Sequence, residues 1–286
     1  MSRRTSRTLL AASALALLAG PAAAHHHANT SGYALTGDGA SLIVMDSLAT
    51  PGDARTLTLS SPVRSIAWRP VTGELLGFAD GSIVVIDTTS GETTDKDATF
   101  MDGTTIASDA VIAFDFNNAI DAVRAVSSEG DNLVYFPIGF GDNDERANSV
   151  RRFTDMFYAE GDNSEGADPL IFANAYTNAV NGEKASGTFQ YVLDARANAL
   201  ASLANNAGTL ETVGLITIDG NPADVLPVGG FDIVSPEEGT DHAYAVLQID
   251  GEDTKGLYEI DLSDGAATLI ADLGAVDVIS FATSAE

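Results

Sequence analysis

Two aspartates raise the question of chemistry first. Asp115 lies in "VIAFDFNN" (111–118) and Asp232 in "VGGFDIVS" (228–235), each between two large apolar residues. Successive side chains of a strand point to opposite faces. Each carboxylate is therefore expected on the face opposite its apolar neighbours. Two carboxylates in a low-dielectric site can bind a cation, or divide acid and base roles when burial drives their pKa values apart. A buried aspartate can also serve structure alone by accepting backbone N–H groups. The structural role is the favoured reading, and catalysis through Asp115 and Asp232 is the alternative.

Two other groups could hold metal. "HHH" (His25, His26, His27) follows an Ala-rich stretch. Cleavage after Ala22, Ala23 or Ala24 would make one of these histidines the third residue of the mature chain. An amine, two backbone nitrogens and that imidazole suit square-planar Cu²⁺. The plainer reading is a histidine-rich start with incidental metal affinity. In "AEGDNSEGAD" (159–168), Asp162, Ser164 and Asp168 offer oxygen ligands for Ca²⁺. Counting an EF-hand loop from Asp162 puts Gly166 at position 5 and Ala167 at 6, one residue out of register. A solvated acidic loop is the plainer reading there too. His242 stands alone in the sequence and reads as a turn or surface residue. No nucleophile elbow, phosphate loop or dinucleotide fingerprint is present.

The elements around these residues repeat. "ELLGFADGSIVVIDTTSGETT" (74–94) and "HAYAVLQIDGEDTKGLYEIDLSDGAATLI" (242–270) share one plan: strand, Gly/Asp turn, strand ending in Ile-Asp, turn, Thr-rich strand. "YALTGDGASLIVMDSL" (33–48) and "AVRAVSSEGDNLVYFP" (122–137) repeat its first half. These units start near Tyr33, Leu75 and Val123, intervals of 42 and 48 residues. Several strands per unit at about 40–50 residues is the signature of a β-propeller blade. The fold class is all-β, a propeller of five blades, with six left open because 170–215 matches poorly. The chain starts on a second strand and ends on a first strand, "DVISFATS" (277–284), so both termini build the closing blade. A β-sandwich is the runner-up, and it does not explain the repeated cassette.

Aligning the leading strand of each unit sets Ala67, Asp115, Ala175, Asp232 and Ser280 in one ring. All are small or acidic, as expected near a crowded axis. Trp68, the sole tryptophan, falls at a core position in the same register.

Composition narrows the partners. "MSRRTSRT", then "LLAASALALLAG", then "PAAA" is basic, apolar and small in turn, the layout of a secretory signal peptide. The expected organisation is a signal peptide over 1–24, a flexible mature start over 25–32, and one propeller domain over 33–286. Removing 24 of 286 residues leaves 262, and removing three arginines takes the formal charge from −27 to −30. Such a chain is repelled by nucleic acid and by anionic lipid. No second long apolar segment suggests a membrane span. The absence of cysteine excludes disulfides and thiolate chemistry.

Several segments also resemble a bacterial family of secreted proteins known as domain of unknown function 4394. They are "AFDFNNAIDAVRAVSSEGDNLVYF", "FANAYTN", "NNAGTLETVGLI", "GGFDI" and "GLYEIDLSDGAATLI", in that order. In that family the Asn118 position is often proline, and here it departs to Asn-Asn. The resemblance implies an exported, propeller-like domain and no established activity. The expected protein is therefore a secreted or periplasmic, monomeric, non-catalytic scaffold, binding an extracytoplasmic protein or glycan. A channel-centred hydrolase or metal-dependent enzyme using Asp115 and Asp232 is the alternative. No cofactor is assigned beyond the Ca²⁺ and Cu²⁺ candidates.

Overall fold

The computed structural model describes residues 26–285. The expected signal peptide and His25 lie outside them. The short β-branched runs form five mainly antiparallel sheets, the blades of a propeller. Blade one takes its inner strand, Val278–Ala285, from the end of the chain. Thr30–Thr36, Ser41–Met45 and Arg55–Thr58 follow outward. The inner strands of blades two to five are Ser65–Arg69, Ile112–Asn117, Ile171–Tyr176 and Val225–Glu237. Each inner strand packs on the next, and Val225–Glu237 returns to Val278–Ala285 to close the ring.

Closure by both termini is as expected. It converts two free ends into one hydrogen-bonded ladder, from Thr30 opposite Ala285 to Thr36 opposite Val278. The first strand starts at Thr30, within the stretch expected to be flexible. The Thr30 hydroxyl donates to the His26 carbonyl at 2.9 Å and ties that stretch to the blade.

Segment 170–215 is a regular blade, which settles the count at five. Its poor match comes from a long insertion, residues 177–189, between its first strand and Gln190–Asp194. The links between blades also pair. Thr99–Phe100, Phe157–Tyr158 and Thr217–Ile218 each add a short parallel strand outside blades three, four and five. That covers edges which would otherwise expose unpaired N–H and C=O groups.

The core lies between blades, because each sheet is apolar on both faces. Phe114 and Phe116 pack with Leu76 and Phe78 of blade two, while Ala113 faces blade four with Ile171 and Val192. Val234 and Tyr244 meet Ala34 and Phe281 across the closing seam. At Gly230 the seam is so close that a Cβ would fall 2.3 Å from the Phe281 nitrogen.

Candidate ligand site at the capped mouth

The ring residues face the following blade, and three of them tie the ring together. Asp115 in blade three accepts the Tyr176 N–H of blade four at 2.7 Å. Asp232 in blade five accepts the Thr283 N–H of blade one, and the Thr283 hydroxyl at 2.9 Å. Its other oxygen accepts the Ile233 N–H at 2.8 Å. Ser280 in blade one accepts the Ile66 N–H of blade two at 3.0 Å. Ala67 and Ala175 fill the two remaining places with methyl groups, both buried.

Asp115 and Asp232 are 5% and 4% exposed, so water does little to stabilise their charge. Burial pushes Asp232 up to about 7. Asp115 also rises well above the usual carboxylate range, first through burial and then through the negative charge of Asp232. The two aspartates thus sense each other across the axis, and neither lines the cavities described below.

The insertion 177–189 closes one end of that axis. It lies where the inner strands end, and it bonds to every other blade. Trp68 Nε1 of blade two donates to Asn181 Oδ1 at 3.2 Å. The Asn181 amide donates in turn to the Ala285 carbonyl of blade one. Asn118 Nδ2 of blade three donates to the carbonyls of Asn178, Val180 and Glu183, at 2.9, 3.3 and 3.1 Å. From blade five, the Ser235 hydroxyl accepts Ala179 N–H at 2.9 Å, and Asp241 accepts Asn178 N–H at 2.8 Å. The Asn118 side chain thus supplies an amide donor that a proline at this position would not. Trp68 is half-buried and stacks on Tyr33 with ring centroids 5.5 Å apart.

Beside this cap lies a cavity of about 450 Å³. Val180 and Asn181 of the cap form one wall, and Val234, Ser235 and Pro236 form another. His26, Asn29 and Thr30 from the start of the chain complete it with His242 and Ala285. The size falls within the usual range for small-molecule sites, and a mixed apolar and polar lining is typical of them. The opposite mouth has a smaller cavity, about 290 Å³, lined in part by Arg64 and Pro227. Arg64 is engaged there with Asp80 at 2.8 Å and with the carbonyls of Ala107 and Ala110.

The histidines separated in sequence meet here. The His26 and His242 rings lie 3.8 Å apart, centroid to centroid. His27 Nε2 is 3.3 Å from Glu259 Oε2, and His242 Nδ1 is 3.9 Å from Glu259 Oε1. Burial lowers the His242 pKa, and the nearby His26 adds to it. The bond to His27 holds Glu259 below its usual value. Nothing in the sequence links His242 to His26, because the meeting depends on ring closure.

The acidic loop is placed differently. Asp162 accepts the Ser164 N–H at 2.8 Å, and the Thr212 N–H and hydroxyl at 2.7 and 2.9 Å. Burial acts to raise its pKa, but the bonds from Thr212 and Ser164 together hold it below the usual carboxylate value. Asp168 is exposed. Among the described residues, no three His, Asp or Glu side chains already converge at metal-binding distance.

Comparison with known proteins then decides the family. The profile described as Domain of unknown function (DUF4394) matches residues 44–282. The chain belongs to this family. No curated protein matches it. Among solved structures, it is similar to a protein of unknown function from Bacteroides thetaiotaomicron. That match has TM-score 0.47 and 12% identity, covering 74% of this chain and 52% of the other. The chain thus spans about half the length of that protein. It is also similar to a chain of a nidogen/laminin complex, with TM-score 0.46 and 10% identity over 89% and 98% of the two chains. An auxiliary nutrient binding protein from Bacteroides thetaiotaomicron gives TM-score 0.41 and 12% identity, over 74% and 55%. No helix among the described residues is long and apolar enough to cross a membrane.

Proposed function

We propose that this protein is an exported, non-catalytic binding propeller whose ligand seat is the cavity beside the 177–189 cap. The observation that carries this reading is the cap itself, a single insertion bonded to the four other blades and forming one wall of a 450 Å³ cavity. Loops on a rigid scaffold are where binding specificity commonly resides. Among the described residues, the wall's polar side chains that make no side-chain hydrogen bond to another residue include Asn29 and His26. Val180, Val234 and Pro236 add apolar surface. That mixture suits a hydroxyl-rich or amide-rich group, such as a sugar of an extracytoplasmic glycan or the end of a protein segment.

The strong negative charge argues against anionic ligands at long range and favours neutral or cationic ones. The Asp115/Asp232 pair supports the scaffold reading better than the hydrolase reading. Its carboxylates accept backbone N–H groups in neighbouring blades and do not reach the cavity. The reading is tested by screening the exported chain against glycan and peptide arrays, then repeating each hit with Val180→Trp, which fills the cavity. Loss of the hits in a variant that unfolds like wild type supports it. Hits that survive the filled cavity would place the seat elsewhere.

A further inference from the structure

A second groove, of about 370 Å³, lies on the rim of blade four. Phe189, the last residue of the cap, lines it together with the turn at 204–209. Of the large apolar side chains among the described residues, Phe189 is the most exposed, at 66%. Its backbone is fixed, because its N–H donates to the Thr177 hydroxyl at 2.8 Å and its carbonyl accepts the Thr177 N–H at 2.9 Å. Tyr191, two residues on, lies beside the ring at 6.3 Å between centroids. A single exposed phenylalanine is ordinary on a protein surface. The groups that share its groove set this one apart.

A buried network orients an amide at this groove. Arg124, Asn174, Tyr176 and Gln190 are all buried. Asn174 Nδ2 donates to the Arg124 carbonyl at 3.4 Å, and Asn174 Oδ1 accepts Gln190 Nε2 at 2.7 Å. Gln190 Oε1 is thereby turned to the Tyr176 hydroxyl, at 2.8 Å. That hydroxyl accepts Arg124 Nε at 2.7 Å and lies 2.9 Å from Asn205 Oδ1. One phenolic proton cannot serve both oxygens, so either assignment of the Asn205 amide keeps one end on Tyr176 and leaves the other for the groove. The Asn205 carbonyl also accepts Asn132 Nδ2 at 2.9 Å, which fixes the turn. Thr209 adds a hydroxyl to the lining, and Glu211 adds an exposed carboxylate. The lining contains no lysine or arginine.

We propose that this groove binds one ring of a neutral oligosaccharide, with Phe189 as its stacking platform and Asn205, Thr209 and Glu211 as its hydroxyl partners. A pyranose matches both halves of the lining. One face presents C–H bonds, whose slight positive charge suits the negative face of an aromatic ring. The hydroxyls around its edge both donate and accept, as an amide, a hydroxyl and a carboxylate together require. A hydroxyl given to a carboxylate makes a short, strong bond. Glu211 and the net charge of −27 disfavour uronic, sulfated and phosphorylated sugars. The groove shares no lining residue with the cavity beside Val180, and it stands independently of the reading of that cavity as a ligand seat.

The test titrates the purified protein by calorimetry with cello-, xylo-, manno- and chitotetraose. A heparin tetrasaccharide is the anionic control, and tetra-alanine is the peptide control. At least one neutral tetrasaccharide is expected to bind with a millimolar or tighter Kd. Phe189→Ala should weaken that binding about tenfold through loss of stacking, and Glu211→Ala should weaken it about as much. Both side chains are exposed, so both variants should unfold like wild type. Val180→Trp, which fills the other cavity, should leave the binding unchanged. No binding of any neutral tetrasaccharide would overturn the proposal, as would tighter binding of either control. Binding that survives Phe189→Ala but is lost in Val180→Trp would also overturn it, and would place the sugar in the neighbouring cavity.

Discussion

The carboxylate of Asp115 accepts the backbone N–H of Tyr176 from the next blade at 2.7 Å, deep in the ring. The bond joins two sheets that share no ladder. Its removal by Asp115→Ala leaves that N–H buried without a partner, at a cost of about 1–3 kcal/mol. Asp115→Asn keeps an acceptor and is neutral, as the buried carboxyl tends to be, so it should cost much less. Urea unfolding of the two variants measures the difference. Equal losses would mean that the bond is immaterial.

Asp232→Ala should be the more damaging change. It strands the Thr283 and Ile233 N–H groups together, along with the Thr283 hydroxyl. With two or three buried donors unsatisfied, the loss should exceed that of Asp115→Ala. The same urea series checks the order.

The raised pKa values make stability depend on pH. Asp232 ionises near 4 in an unfolded chain and at about 7 when folded. Between these values the folded state holds the proton that the unfolded state has lost. The contribution of Asp232 is therefore full at the acidic end and declines as pH rises, by at most about 1.4 kcal/mol per pH unit. Asp115 acts in the same direction. Other carboxylates with lowered pKa values work oppositely, so the quantity to measure is wild type minus Asp232→Asn across this window. That difference should fall with pH. A flat difference would contradict the burial of an acidic proton.

Asn118 anchors the cap through three carbonyls. Asn118→Ala should therefore loosen residues 178–183 with little effect on the blades. Hydrogen exchange should speed up in that stretch alone. Emission from Trp68, the single tryptophan, should shift because its indole N–H bonds to the cap. Uniform exchange with an unchanged spectrum would show that Asn118 does not hold the loop.

Gly230→Ala tests the closing seam. A methyl group there meets the Phe281 backbone, which cannot swing aside. Overpacking of this kind typically costs about 1–3 kcal/mol, and here the full range or more is expected. Thermal melting measures it, with Gly81→Ala as a comparison in open space, where the strain is only that of a positive φ.

Much of the architecture could be read from the sequence because a blade is a local unit. The turn-punctuated strands of 74–94 and 242–270 recur at a fixed period, and the ends of the chain complement each other as first and second strands. The ring of Ala67, Asp115, Ala175, Asp232 and Ser280 followed from alternation alone. The cap did not. Residues 177–189 contain no periodic pattern, and their bonds run to four other blades, which no local rule connects. His242 likewise looked solitary, because its neighbours His26 and His27 lie at the other end of the chain and reach it only when the ring closes.

The most direct test of the binding account is a crystal structure of the protein with the best ligand from the array screen. The account predicts that ligand between Val180 of the cap and His242 of blade five, with Asp115 and Asp232 still bonded to Tyr176 and Thr283. A ligand at the opposite mouth beside Arg64, or one reaching the two axial aspartates, would contradict it.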